Sequence, residues 1–115
     1  EGEEERGQEA SNRDVNSITY RNGSVKDFLP DGRRITKFPN GDIKEDCPDG
    51  SSTYFYRDAN TTHITYKDGT QLIHFPNNQM ERHFPDGSRE VVFPDKTRCR
   101  FAPDGTKTVT YGKGE

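Results

Sequence analysis

A turn phrase returns every nine residues through most of this chain. Phe38-Pro39-Asn40-Gly41 is answered by Cys47-Pro48-Asp49-Gly50. The last place of the phrase falls at Gly23, Gly32, Gly41, Gly50, Asn60, Gly69, Asn78, Gly87, Lys96, Gly105 and Gly114, and only the step across "YRDAN" is ten. A large residue stands three places earlier, as at Tyr20, Leu29, Phe38, Tyr66, Phe75, Phe84, Phe93 and Tyr111; near Gly105 it slips by one, to Phe101. Proline presets φ at the second place of a turn, Asp or Asn suits the third, and glycine supplies a positive φ. Such a turn, closed by a glycine bulge, connects the strands of a β-hairpin. Between turns stand Thr, Tyr, Ile, Val and Phe, which suit a pleated strand. The period therefore predicts an all-β chain of about eleven short strands, the first lying between Val15 and Arg21, joined as one antiparallel meander.

Composition decides how such a meander is packed. Two Leu, five Ile, five Val and seven Phe make 19 of 115 residues, and 26% of the chain is hydrophobic. So few core formers ordinarily signal disorder. Here the net charge is only -3 and the apolar residues are regularly spaced. A folded chain with almost no interior is expected. Residues 1–16 carry six acids and two bases, and read as an acidic, disordered linker before a domain over residues 17–115. The remainder carries 14 acids and 15 bases, without the basic excess of a nucleic-acid binder. No apolar run approaches the ~20 residues of a membrane helix, and no secretory signal is seen. Cys47 and Cys99 should stand about six strands apart, too far for a bridge, and free thiols suit a reducing compartment.

The turn register sets which residues share a face. In a bulged turn Phe38 opposes Asp42; in a two-residue turn it opposes Ile43. Proline before Asp-Gly favours the bulge, because the tighter turn would use the N–H that proline lacks. One face then carries Phe28, Thr36, Phe38, Tyr54, Tyr56, His63, Ile73, Phe75, Glu81 and Val91. The other carries Val25, Leu29, Ile35, Ile43, Phe55, Ile64, Tyr66 and Leu72. Both are thinly apolar, so the sheet should stand free with solvent on both faces rather than fold into a sandwich. A calcium-binding parallel β-roll also has period nine. It needs paired glycines and a second regular Asp, and this repeat has one glycine and a proline.

The stretches "LPDGRRITKFPNGDIKEDCPDGSSTYFY" and "FPNNQMERHFPDGSREVVFPDKTRCRFAPDGTKTVTYGKGE" resemble the G-box, the T-complex-protein-type C-terminal domain of the CPAP (centromere protein J) centriole-assembly family. The resemblance runs from about Val15 to Glu115, with Cys47, "RDAN", Asn78 and Lys96 as departures from the phrase. It implies an open antiparallel sheet that binds a proline-rich segment of the centriolar scaffold STIL. It also implies a role in centriole duplication, hence a cytoplasmic, cytoskeletal, centrosomal location. Proline rings pack on aromatic faces, and tyrosine hydroxyls can donate to proline carbonyls. The expected contacts are Phe38, Tyr54, Tyr56 and Phe75, with Ile73 completing the floor. Phe38, Tyr54 and Phe75 share a face in either register. Glu81, beside Ile73 in the bulged one, would meet a basic peptide residue; the family associates binding with an acidic residue in this region. On a coreless sheet these same aromatics would also serve as hairpin caps.

Other chemistries have less to stand on. His63, His74 and Glu81 would gather as a metal set in the two-residue register alone. The turn aspartates are turn formers first. No nucleophile set, phosphate loop or pocket suggests an enzyme, a metal or a cofactor. An open meander ends in two unpaired strands, and "TKTVTYG" has little to block pairing. Weak end-to-end association into a structural array is the alternative to a peptide site.

Overall fold

The computed structural model describes residues 16–112. Eleven strands follow in chain order: β1 (Asn16–Thr19), β2 (Val25–Phe28), β3 (Arg34–Lys37), β4 (Ile43–Asp46), β5 (Ser52–Tyr56), β6 (Thr61–Thr65), β7 (Gln71–His74), β8 (Met80–His83), β9 (Arg89–Val92), β10 (Arg98–Phe101) and β11 (Lys107–Thr110). Their spatial order is their chain order, and every pair is antiparallel. The expected linker over residues 1–16 lies outside the described residues except for Asn16, which opens β1. The last turn place, Gly114, lies outside them as well.

The turns decide the register. Phe38 N–H donates to the Asp42 carbonyl at 2.9 Å, and Gly41 N–H donates to the Phe38 carbonyl at 3.0 Å. Phe38 thus opposes Asp42, and Lys37 opposes Ile43. This is the bulged turn, and the two-residue alternative is excluded. The same pair of bonds recurs at Tyr20, Leu29, Cys47, Tyr66, Phe75, Phe84, Phe93 and Ala102. Ala102 fills the place from which Phe101 slipped, so Phe101 becomes a strand residue opposite Lys107. Gly32 sits at φ 96°, and a Cβ there would come within 2.9 Å of the Pro48 ring. Its turn needs both a left-handed backbone and a bare Cα, because the next turn on that edge packs against it. Asn60, Asn78 and Lys96 hold φ of 49°, 75° and 74° without being glycine.

The ten-residue step has a simple structural meaning. Tyr56 opposes Thr61, so this loop holds four residues (57–60) where the others hold three. The extra residue stays in the loop. Strands on either side therefore keep the same facing, and Ile73 lies on the same face as Tyr54.

One layer is all there is. The radius of gyration is 18.4 Å and the extents are 52 × 29 × 25 Å, against about 13 Å expected for the radius of a globular domain of 100 residues. Ten inter-strand gaps of ~4.8 Å account for the long dimension. Val91 is the one buried hydrophobic side chain among the described residues; Ser24, Thr36, Asp42 and Glu90 are buried polar groups. Glu90 is held by Arg82 and Arg98, each at 3.2 Å from one of its oxygens. Stability rests on ladder bonds and cross-strand pairs of about 0.2–1 kcal/mol each.

Two substitutions probe the turn. Gly32→Ala should destabilise the sheet by at least about 1 kcal/mol, since a left-handed backbone is costly for a residue with a Cβ. Lys96→Gly should stabilise it by up to about 1 kcal/mol by the converse argument. Urea denaturation followed by circular dichroism measures both; equal midpoints for the two variants would contradict the turn analysis.

Candidate functional site

Each turn of one edge delivers its aromatic to one face. Tyr20, Phe38, Tyr56, Phe75 and Phe93 all project to the face that also holds Tyr54, His63, Ile73, Glu81 and Val91, as the pairing dictates. The cause is parity. Nine residues is an odd step, so consecutive turn residues alternate faces as consecutive turns alternate edges.

Across this face runs a register row: Thr36, Lys44, Tyr54, His63, Ile73, Glu81 and Val91, each opposite the next. At its centre three rings touch. Phe38 stacks on Tyr54 with centroids 5.8 Å apart and 27° between planes, and Tyr54 lies 4.4 Å from Tyr56 at 41°. Aromatic pairs at such distances contribute about 0.5–1.5 kcal/mol beyond area burial. Two other rings of this face are covered by cations: Lys26 lies 5.7 Å from the Phe28 centroid and Arg89 4.1 Å from that of Phe101. The Phe38–Tyr54–Tyr56 cluster instead offers ring surface, and Tyr56 is 40% exposed.

Ile73, Phe75 and Glu81 lie on the same face as that cluster. Ile73 lies between His63 and Glu81 in the row. Phe75 follows β7, donates its N–H to the Gln79 carbonyl, and lines a shallow recess with Pro76, Asn77 and Gln79. It stands apart from the three touching rings, with β6 between. Glu81 is partly exposed and its Oε1 is 3.2 Å from His83 Nε2. The bulged register places His63 and His74 on opposite faces, and among the described residues no three His, Cys, Asp or Glu side chains could hold a metal. His63 Nε2 lies 2.8 Å from Gln71 Oε1. Cys47 and Cys99 are free thiols.

His63 stands in the row between Tyr54 and Ile73, on the face that the bulged register gives it. One residue of this site escaped sequence reasoning. Asp42 is 8% exposed, and its carboxylate accepts from the Tyr54 hydroxyl at 2.8 Å and from Arg57 N–H at 2.9 Å. The Arg57 N–H, then the Tyr54 hydroxyl, hold the Asp42 pKa below the ordinary aspartate range. The hydrogen bond to Asp42 in turn raises that of Tyr54. The Tyr54 proton is thus directed at Asp42. A signal for Asp42 does exist in the sequence. The residue after the turn glycine is Ser, Thr, Gln or Arg in the other turns between strands, and Asp only here.

A single-layer antiparallel meander with a ring-lined face defines a class of interaction module. The chain belongs to the T-complex protein 10 C-terminus family, whose family model matches residues 48–83. A solved TCP10 domain of Danio rerio CPAP, in complex with a peptide of Danio rerio STIL, is 34% identical over 95% of this chain and 70% of that one, with a TM-score of 0.70. The SAS-4 TCP domain of Drosophila melanogaster, in complex with a proline-rich motif of Ana2, is 26% identical over 91% of this chain and 88% of that one, with a TM-score of 0.69. Homo sapiens centrosomal P4.1-associated protein is 42% identical over 66 residues, which are 56% of this chain and 5% of that protein.

The turn carboxylates give an acid signature. Backbone N–H donors two residues on lower the pKa of Asp68, Asp95 and Asp104, and the Ser51 and Ser88 hydroxyls chiefly lower Asp49 and Asp86. A folded pKa below the unfolded one means stability that is complete above the unfolded value and lost as pH falls through the folded value. The melting midpoint should therefore be level above about pH 5 and drop below about pH 4, given unfolded aspartates near 3.9. Asp68→Asn should keep its turn bond, as Asn22, Asn40 and Asn77 do, and soften the drop. Thermal melts between about pH 2 and pH 7 check this, and a midpoint that rises on acidification would refute it.

Proposed function

We propose that the domain, residues 17–115 with Asn16 joining its first strand, is a protein-interaction module. Its partner is a proline-rich segment of a STIL-type centriolar scaffold, and its setting is centriole assembly at the centrosome, within the cytoplasmic cytoskeleton. The carrying observation is the ring floor of one face: Phe38 stacked on Tyr54 and Tyr54 against Tyr56, with Ile73, Phe75 and Glu81 beyond it. The two relatives solved with STIL and Ana2 segments support the reading. So does simple geometry. A polyproline helix repeats every three residues, or ~9.3 Å, and alternate strands of a sheet recur every ~9.6 Å. A segment lying across the strands meets one turn aromatic per helical turn. Its order before binding keeps the entropy loss small. The module carries no catalytic, metal or cofactor role in this reading. Neither nucleic acid nor a membrane is a partner.

Phe38→Ala and Tyr54→Ala should each weaken binding of the Danio rerio STIL peptide by about 10-fold or more, in the range of buried aromatic anchors. Glu81→Lys should weaken it too, while Phe84→Ala on the opposite face should not. Calorimetric titration with a circular dichroism control reads this. Unchanged affinity in the Phe38 and Tyr54 variants would remove the site from this face.

A second reading concerns the sheet ends. β1 and β11 each have one neighbour among the described residues, and neither strand contains proline. With an odd number of antiparallel strands the two ends run in the same direction. Head-to-tail stacking then forms a parallel junction, and a two-fold pairing of like ends an antiparallel one. Weak self-association through these edges is the proposal, and sedimentation at high concentration showing a strict monomer would end it.

A further inference from the structure

Three donors converge on the Asp42 carboxylate. Arg57 N–H reaches Oδ1 at 2.9 Å, the Tyr54 hydroxyl reaches Oδ2 at 2.8 Å, and Asn40 Nδ2 reaches Oδ2 at 3.2 Å. The Arg57 donor exists because of the irregular turn. Arg57 accepts from Asn60 N–H as Phe38 accepts from Gly41 N–H, but where the Phe38 N–H donates to the carbonyl after its own bulge, the Arg57 N–H donates to the Asp42 carboxylate. The four-residue loop and the unusual Asp42 are thus two halves of one device. An ionised carboxylate only accepts. Tyr54 has a single proton, and Asp42 takes it. What the hydroxyl can still offer a ligand is its oxygen.

We infer that Asp42 is a positioning and specificity-determining residue: it locks the Tyr54 hydroxyl as an acceptor, so the bound segment presents a hydrogen-bond donor at Tyr54 rather than a proline carbonyl. The donor is a guanidinium, an ammonium group or the N–H of a non-proline residue. This rests on reading the ring-lined face as the peptide site. The segment is then a proline-rich one punctuated by basic residues, and Glu81 on the same face adds to that choice.

Asp42→Asn reverses the polarity while keeping the shape. The asparagine Oδ1 still accepts from Arg57 N–H. Its Nδ2 donates to the Tyr54 oxygen, the Asn40 amide turns to water, and the tyrosine proton is released toward the ligand. The probes are two synthetic twelve-residue peptides, oligoproline and one with arginine at every third place. The unmodified domain should prefer the arginine peptide by about 10-fold, the scale of one hydrogen bond to a polar site. Asp42→Asn should cut that preference to less than about 3-fold. In a Tyr54→Phe background, Asp42→Asn should change the preference little, since there is no hydroxyl to reorient. An equal effect in both backgrounds would show that Asp42 acts by charge alone and overturn the inference.

A second arm needs no peptide. The Tyr54 share of the alkaline absorbance titration, obtained by difference from Tyr54→Phe, should lie above the ordinary tyrosine range and return toward it in Asp42→Asn; no change overturns the lock. If neither peptide binds the unmodified domain, the ring-lined face is not the site and donor selection falls with it. The absorbance arm then still decides whether Asp42 holds the Tyr54 proton.

Discussion

Everything in this sheet hangs on the pair of backbone bonds that closes each three-residue turn. The turn residue's N–H and carbonyl are both used locally, one by the residue after the bulge and one by the glycine or its substitute. The third-place Asp or Asn then accepts from the N–H two residues on. The hairpin ends thus satisfy their own backbone polar groups without help from a core. Since the turns are local, each hairpin closes a loop of three or four residues before any distant contact is required. Fold information is therefore carried nine residues at a time, and it needs no core to coordinate it.

Lack of a core changes what a side chain is for. In a two-layer protein, half of each strand is committed to burial against the other layer. Here Val91 is the one buried hydrophobic residue described, so nearly every ring remains available on one face or the other. Parity then does the sorting. An odd repeat sends all the turn aromatics of one edge to one face and those of the other edge to the opposite face. A long row of rings follows from arithmetic, and natural variation at single positions makes one stretch of it differ from the next.

Most of the fold was legible in the sequence because the determinants are local and repeated. Pro39 before Asn40-Gly41 argued for the bulged register, and Phe38 does oppose Asp42. The slip to Phe101 near Gly105 appeared as a single displaced aromatic, and the structure gives that place to Ala102. The candidate site was readable as a facing argument, which brought Phe38, Tyr54 and Tyr56 together. Side-chain contacts to backbone at the ends of neighbouring strands were not readable. Asp42 meets Arg57 15 residues away, through a backbone N–H that no residue type advertises. The four-residue loop looked like a defect in the period, and its consequence for Asp42 depends on where an N–H points.

Departures from the repeat deserve to be read with the same care as the repeat. Lys96 and Asn78 accept an unfavourable φ and keep the turn. Cys47 gives up a ring where Phe38, one unit earlier, keeps one. "RDAN" goes further: it lengthens the loop without disturbing facing, and it sends the Arg57 N–H to Asp42 instead of across its own turn. That exchange anchors Asp42, Asp42 orients Tyr54, and Tyr54 stands at the centre of the three touching rings. A perfect nonapeptide array would fold into the same ribbon and present the same chemistry at every unit. Specific recognition requires that one place differ from its neighbours, and the place where this chain breaks its own period is the place where Asp42 holds the Tyr54 hydroxyl.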